Sequence, residues 1–326
     1  MWNKVVQTGV EMREIGGYFE LEHFHGNMMH ENAIALNCGR NCLAYLIKAK
    51  KIRKLAVPYF MCDCIFEVCE KNDVELSYYH IKEDFMPDKI VCSSDTWIYI
   101  MNYYGQLTQC QLQFLKKTYV RIIIDNAQAY FDEPLEGIDT LYTCRKFFGV
   151  SDGAFLYTDS FLREELLQDK SYDRMKYLLG RYECSASEFY KESTENNELF
   201  GNIPIMRMSK ITENILRAID YEWIKAIRTE NFAYLHNRLG KTNLLYVHPV
   251  EGAFAYPFMI ESGSILRKKL VKEKIYIPVL WPNVMQNIEE KIWEYTLADN
   301  VLPIPCDQRY TTEDMAQICS LIEKLI

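Results

Sequence analysis

Strand-like and helix-like runs alternate through the first half of the chain. AIALN (33–37) is a short apolar run that ends just before Gly39. NCLAYLIKAKK (41–51) follows, with Leu43, Leu46 and Ile47 at helical spacing. KLAVPY (54–59) predicts a strand stopped at Pro58, and DVELSYY (73–79) alternates. TWIYIMNYY (96–104) and VRIIID (120–125) are rich in β-branched and aromatic residues, with QCQLQFLKK (109–117) between them as a helix. TLYTC (140–144) and GAFLYT (153–158) predict two more strands. Runs without clean alternation describe strands buried on both faces, as in a parallel sheet under helices. The β–α–β order predicts an α/β architecture.

The pattern changes in the second half. From Phe161 to Asn197 it is polar and helical, until GNIPIMRMS (201–209) interrupts it. A long helical stretch then runs from Lys210 to Leu239. In the final third, AFAYPFMI (253–260) and KIYIPVLW (274–281) predict short strands between helices. The last helix starts at Thr311, with Asp314 three residues on as a capping pair. These shifts divide the chain into a large domain over 1–208 and a smaller α+β domain over 209–326.

Composition narrows the chemistry. Of 326 residues, 49% are hydrophobic and 25% charged, the balance of a globular protein. Only 14 are glycine, and neither Gly-x-Gly-x-x-Gly nor Gly-x4-Gly-Lys-Ser/Thr occurs. The standard dinucleotide and P-loop motifs are therefore excluded. The net charge of −8 argues against a nucleic-acid partner and against an anionic membrane surface. No apolar run approaches the length of a spanning helix. Residues 1–17 lack the apolar core of an export signal, so the 11 cysteines are expected as reduced thiols in the cytoplasm. Cys62 and Cys64 lie too far apart on a strand and face apart on a helix, so no redox pair is expected. His23, His25 and His30 have irregular spacing, and no metal site is expected.

Five positions point to one chemistry. Asp125 ends the apolar strand VRIIID, where α/β proteins bind ligands. Lys146 follows the strand TLYTC. By itself the aspartate reads equally well as a turn cap, and the lysine as a solvated side chain. Together, on successive strand ends, they match a lysine that forms an imine with an aldehyde cofactor and a carboxylate that keeps the cofactor's pyridine nitrogen protonated. That cofactor is pyridoxal 5'-phosphate (PLP). Gly39 sits at a strand-to-helix turn, where free backbone N–H groups receive a phosphate, and Arg40 offers a charge-assisted contact. Thr143, three residues before Lys146, offers a hydroxyl.

At these residues the sequence resembles the nucleotide-sugar aminotransferases of the DegT/StrS type, within the fold type I (aspartate aminotransferase) superfamily of PLP enzymes. IGGYFELE (15–22) resembles the opening segment of that family. ALNCGRNCLAYLI (35–47) resembles its phosphate turn. VPYFMCDCI (57–65) resembles its proline-led strand and following helix. IIIDNAQAYF (122–131) resembles its D-x-A-H/Q motif, and TCRKFFGVSDGAFLY (143–157) its lysine segment. MSKITENIL, RTENFAYL and LPIPCDQRYTTEDM resemble its later helices and closing segment.

The resemblance implies a three-layer αβα large domain with a mainly parallel sheet and a smaller C-terminal domain. It implies that Lys146 carries the cofactor and moves the proton, that Asp125 pairs with the pyridine nitrogen, and that Gln128 lies against the ring. It places the phosphate on the Gly39 and Arg40 amides and Thr143, and offers Phe60 to cover the ring. It further implies a homodimer with the active site at the subunit interface, an amino-acid donor such as glutamate, and a keto-sugar-nucleotide acceptor for polysaccharide or other amino-sugar biosynthesis. Three positions depart from the family. Arg40 stands where many members have Thr or Ser, Thr143 replaces a serine, and Ile205 stands where an asparagine would reach the neighbouring subunit. Two other readings stay open: a PLP-binding protein of this fold without transferase activity, acting in regulation or assembly, and a cofactor-free α/β protein.

Overall fold

The computed structural model describes residues 15–326, so most of the segment read for an export signal lies outside the described residues. At the centre is a seven-stranded sheet. Its strands are β1 (Ile34–Leu36), β2 (Lys54–Pro58), β3 (Glu75–Tyr79), β4 (Trp97–Met101), β5 (Ile122–Asp125), β6 (Asp139–Thr143) and β7 (Ala154–Tyr157), in the order β1-β7-β6-β5-β4-β2-β3. Strands β3, β2, β4, β5 and β6 run parallel, and β7 is antiparallel to both β6 and β1. β5 and β6 are buried along their whole length, which explains their unbroken apolar pattern.

The parallel order collects the carboxyl ends of β2, β4, β5 and β6 on one edge of the sheet. Register fixes the details: Met101 lies opposite Asp125, and Asp125 opposite Leu141, two residues before Thr143. Helix α1 (Gly39–Lys50) starts at the same edge, just after β1, and packs on β6 and β7. Helices α2 (Asp63–Lys71) and α3 (Gln109–Thr118) make the next crossovers. Thr108 and Gln111 close a capping box on α3, satisfying amides that the helix leaves free.

The second half differs from the sequence pattern in three places. The helical signal from Phe161 is not realised until α4 (Lys176–Glu183), and α5 (Tyr190–Leu199) follows after a break. The stretch from Lys210 splits into α6 (Lys210–Arg217) and α7 (Tyr221–Leu239), because Asp220 turns out of the helix to accept from Trp223 N at 3.0 Å. β8 (Tyr256–Met259) lies within its predicted run, but KIYIPVLW forms no strand. Instead β8 pairs antiparallel with β9 (Val301–Ile304), which the sequence pattern missed. Pro257 and Pro303 face each other in this two-stranded ribbon. Proline weakens a strand signal, yet it is tolerated where no third strand needs its N–H.

Helices α8 (Gly263–Lys272), α9 (Pro282–Asn287), α10 (Trp293–Asn300) and α11 (Thr312–Leu325) complete the chain. Thr311 and Asp314 form the expected capping box on α11. A single buried apolar cluster runs from Leu43 and Ile123 beside the large sheet, through Phe232 and Leu235 of α7, to Phe258, Leu302 and Met315. No described helix is long and apolar enough to cross a membrane.

Candidate functional site

Asp125 is buried at the end of β5, and both of its oxygens are held. Tyr99 Oη donates to Oδ2 at 2.7 Å, and Ala127 N donates to Oδ1 at 2.7 Å. Burial raises its pKa above the usual carboxylate value; the charge of Lys146, the Tyr99 hydroxyl and the Ala127 amide pull it back. Gln128, also buried, accepts from Tyr104 N at 2.8 Å through Oε1. Its Nε2 has no partner among the described residues. A buried donor without an acceptor is costly, and it marks a place that a ligand would satisfy.

Lys146 lies on the tight turn that follows β6. Phe147 N and Phe148 N both donate to Cys144 O, at 3.0 and 2.9 Å, which folds the chain back sharply. Gly153 at φ 110° then admits it to β7. The lysine side chain is reached by water, yet protein surrounds it densely. That surrounding lowers its pKa below the ordinary lysine value, while Asp125 and the Cys62 and Cys64 thiols oppose the shift. Its Nζ stands 5.5 Å from the centre of the Phe254 ring. No ion pair within 4.0 Å joins Lys146 to Asp125. The two groups feel each other's charge across a gap.

The amino end of α1 closes the third side. Cys38 precedes it in extended conformation and makes no side-chain cap, so the first amides of the helix have no side-chain partner. A Cβ added to Gly39 would stand 4.0 Å from Thr143 Cβ, so these two residues border one space. The Arg40 side chain does not turn into that space. Its Nη1 donates to Asn197 O at 2.9 Å, which leaves only its backbone amide for the role expected of it.

Arg145 was missed in the sequence. Its charge is felt at Cys38, beside the α1 terminus, and its guanidinium lies 4.5 Å from the Phe200 ring centre. It reaches Asn197 Oδ1 only at 3.4 Å, and its Nε has no partner among the described residues. Its place next to Lys146 on the same turn was the available signal.

Phe60 is corrected. It is 1% exposed, and its ring packs against Tyr103 and Trp281 at 5.3 and 4.9 Å between centroids. The ring is committed to an aromatic cluster. The histidines part company. His23 is exposed beside Glu20, while His30 is buried among Tyr130, Tyr142 and Tyr157. Among the described residues no group of three or more candidate ligands could hold a metal ion.

A cavity of about 380 Å³ lies between α1, α2 and residues 200–205. Arg40 is in its wall and Lys146 is not.

No family model matches the chain, and no curated protein matches it in sequence. Solved structures do match. DesV of S. venezuelae, solved in complex with a ketimine intermediate, superposes with a TM-score of 0.65 at 15% identity, over 90% of this chain and 84% of that one. The sugar aminotransferase CalS13 of Micromonospora echinospora gives 0.60 at 14%, over 91% and 88%. Spr1654 of Streptococcus pneumoniae, solved in its PLP form, gives 0.63 at 12%, over 91% and 89%. The chain has the PLP-transferase fold. The parallel sheet closed by an antiparallel β7 is this chain's form of that fold.

Proposed function

We propose that this chain is a PLP-dependent aminotransferase that passes an amino group from an amino acid to a keto sugar. The observation that carries the reading is the pairing of Lys146 with Asp125 across a gap at the carboxyl ends of β5 and β6, without a direct ion pair. The residues around that gap fit the cofactor. Gln128 Nε2 and Arg145 Nε are leftover donors, and the amino end of α1 lacks a side-chain cap. Gly39 and Thr143 border the space a phosphate would need. The fold shared with CalS13 and with PLP-form Spr1654 supports the same reading.

When bound, PLP supplies an aldehyde for the lysine and a ring that withdraws electrons from the reacting carbon. The chain does the rest. Tyr99 and Ala127 fix the Asp125 carboxylate in one orientation, from which it would hold a proton on the pyridine nitrogen. The lowered pKa of Lys146 leaves more of its amine neutral near pH 7, as nucleophile and as carrier of the proton at Nζ. Gln128, fixed by Tyr104, offers Nε2 to a ring oxygen.

The Gly39 and Arg40 amides, the Thr143 hydroxyl and the Arg145 guanidinium would hold the phosphate. A second copy of the chain completes the cleft. Tyr18 and Phe19 are each 98% exposed on the opening segment, which Asn214 ties to α6 by accepting from Phe24 N and donating to Glu22 O. The acceptor is a sugar nucleotide, and the donor is glutamate or a similar amino acid.

The test is the absorption spectrum after incubation with PLP. A near-visible band is expected that borohydride abolishes, with the reduced label fixed on Lys146. Addition of glutamate then bleaches the band by moving the amino group to the cofactor. A Lys146→Ala protein that still shows a borohydride-sensitive band would sink the assignment. A normal band that no amino acid bleaches would favour binding without transfer.

A further inference from the structure

Asn37 and Asn41 bracket the turn Cys38-Gly39-Arg40 that opens α1, and both are buried. Asn41 Nδ2 donates to Asn37 Oδ1 at 2.9 Å, so one side-chain bond closes across the turn. Both side chains also meet a single carbonyl. Pro204 O accepts from Asn41 Nδ2 at 2.8 Å and from Asn37 Nδ2 at 3.3 Å. The backbone of Asn37 carries the tie further. Its N donates to Met206 O at 3.0 Å, and its O accepts from Gly153 N at 2.7 Å, at the exit of the lysine turn. The two asparagines therefore join α1, the segment 204–206 and the turn that carries Lys146.

Packing alone would account for two buried, bonded asparagines. What sets this pair apart is the choice of atoms. A helix start usually takes an acceptor side chain, such as Ser or Asp, which consumes the first free amides. Here Cys38 precedes α1 and makes no side-chain cap, and Asn41, the third residue of the helix, turns its amide nitrogen toward two other oxygens. Asn41 N and Cys42 N both donate to Cys38 O at 3.1 Å. Gly39 N and Arg40 N are left without a partner among the described residues. The turn is held while its two leading amides stay open, which is the arrangement that an anion at a helix start needs.

Resting on the PLP assignment, we propose that Asn37 and Asn41 are positioning residues for the cofactor's phosphate. They act through the backbone that they hold. The bond across the turn fixes the direction of the Gly39 and Arg40 amides beside Thr143. The Asn37 carbonyl fixes the same turn against Gly153, so the phosphate amides and the lysine turn keep one spacing. That spacing lets one cofactor molecule engage both ends of the site together. The clasp thus sets the affinity for the phosphate and leaves the reaction of the amine with an aldehyde untouched.

The test compares PLP with pyridoxal, which has the same ring and aldehyde but no phosphate, on the full chain. The readout is the ligand concentration that half-saturates the borohydride-fixed label on Lys146. The wild type should need less PLP than pyridoxal. Asn41→Ala loses two hydrogen bonds and should raise the PLP value about tenfold, with the pyridoxal value unchanged. Asn41→Asp keeps the shape, loses both donors and brings a carboxylate to the turn, so it should raise the PLP value further. Inorganic phosphate should compete with PLP in the wild type and compete less in both variants. Asn243→Ala controls for stability alone. Asn243 Nδ2 donates to Pro257 O at 2.8 Å in the C-terminal part of the chain, so this variant should lower Tm and keep the wild-type ratio of the two ligands. An unchanged PLP value in Asn41→Ala and Asn41→Asp, an equal rise for both ligands, or a shifted ratio in Asn243→Ala would overturn the role of the clasp. A wild type that takes both ligands equally would overturn it too, and leave Lys146 as the residue that carries the cofactor. A wild type in which neither ligand labels Lys146 overturns the PLP assignment itself, and the clasp with it.

Discussion

His30 shows how a single side chain sets a pH dependence. Its Nε2 lies 2.9 Å from Tyr130 O and its Nδ1 3.1 Å from Tyr157 Oη, and its ring stacks on Tyr142 at 4.1 Å. Burial lowers its pKa from 6.5 to about 4, partly offset by the Tyr130 carbonyl. Between these values the unfolded chain binds a proton that the folded chain does not. This contribution to stability is therefore whole above pH 6.5 and falls as the pH drops toward 4, by at most about 3 kcal/mol. Asp132 works in the opposite direction, because burial raises its carboxyl to about 6. The informative quantity is thus the difference between wild type and His30→Gln in urea unfolding. That difference should shrink in favour of the variant as pH falls through this window. A constant gap would refute the assignment.

At this scale the sequence placed Asp125 at the end of β5 and Lys146 just after β6, because strand ends are local features. It did not reveal the direction of Phe60, which is set by Tyr103 and by the sequence-distant Trp281. Nor did it reveal Arg145, whose surroundings at Asn197 and Phe200 come from a helix far along the chain.

The element that matters most is the turn between β6 and β7, because it aims Lys146. It is tied down at its far end. Gly153 N donates to Asn37 O at 2.7 Å, and Asp152 accepts from Ser209 N and Ser209 Oγ at 2.7 Å each and from the Thr212 hydroxyl. Gly153 combines φ 110° with a crowded flank, where an added Cβ would meet Thr212 Cγ2 at 2.9 Å and Cys144 Sγ at 3.2 Å. Gly153→Ala should therefore cost about 1–3 kcal/mol in stability, from the backbone and the contact together. It should also weaken retention of PLP, because the strain is released into the lysine turn. Thermal unfolding and dialysis against buffer without PLP measure the two effects. A variant with wild-type Tm would show that the turn adapts freely.

The strands of the first half were legible because their pairing is carried by local apolar runs joined by short crossovers. β9 was not legible. Its partner β8 lies on the far side of three helices, and proline in both strands blurs the pattern.

Across the whole molecule, one residue ties the lysine turn to the C-terminal part of the chain. Arg228 of α7 is 1% exposed. Its Nη2 donates to Phe147 O at 3.0 Å, its Nη1 to Ala253 O at 2.8 Å, and its Nε to Gln308 Oε1 at 2.8 Å. The guanidinium lies 4.7 Å from the Phe147 ring centre, and among the described residues no carboxylate pairs with it. Burial lowers its pKa, with Asp307 opposing, and three acceptors from three segments take the place of a counter-ion. Phe147 is the residue next to Lys146, so the position of the lysine depends on segments 81 to 161 residues away in sequence. Arg228→Met keeps much of the volume and removes three hydrogen bonds, leaving Phe147 O its bond from Gln308 Nε2 at 2.8 Å, which should cost about 3 kcal/mol. Arg228→Lys keeps the charge, loses the fork, and should fall between the two. Because the loss acts through Phe147, the borohydride-fixed label on Lys146 should fall in Arg228→Met even at temperatures where the protein stays folded. If Arg228→Met unfolds at the wild-type denaturant midpoint and labels normally, the tie between the two parts of the molecule lies elsewhere.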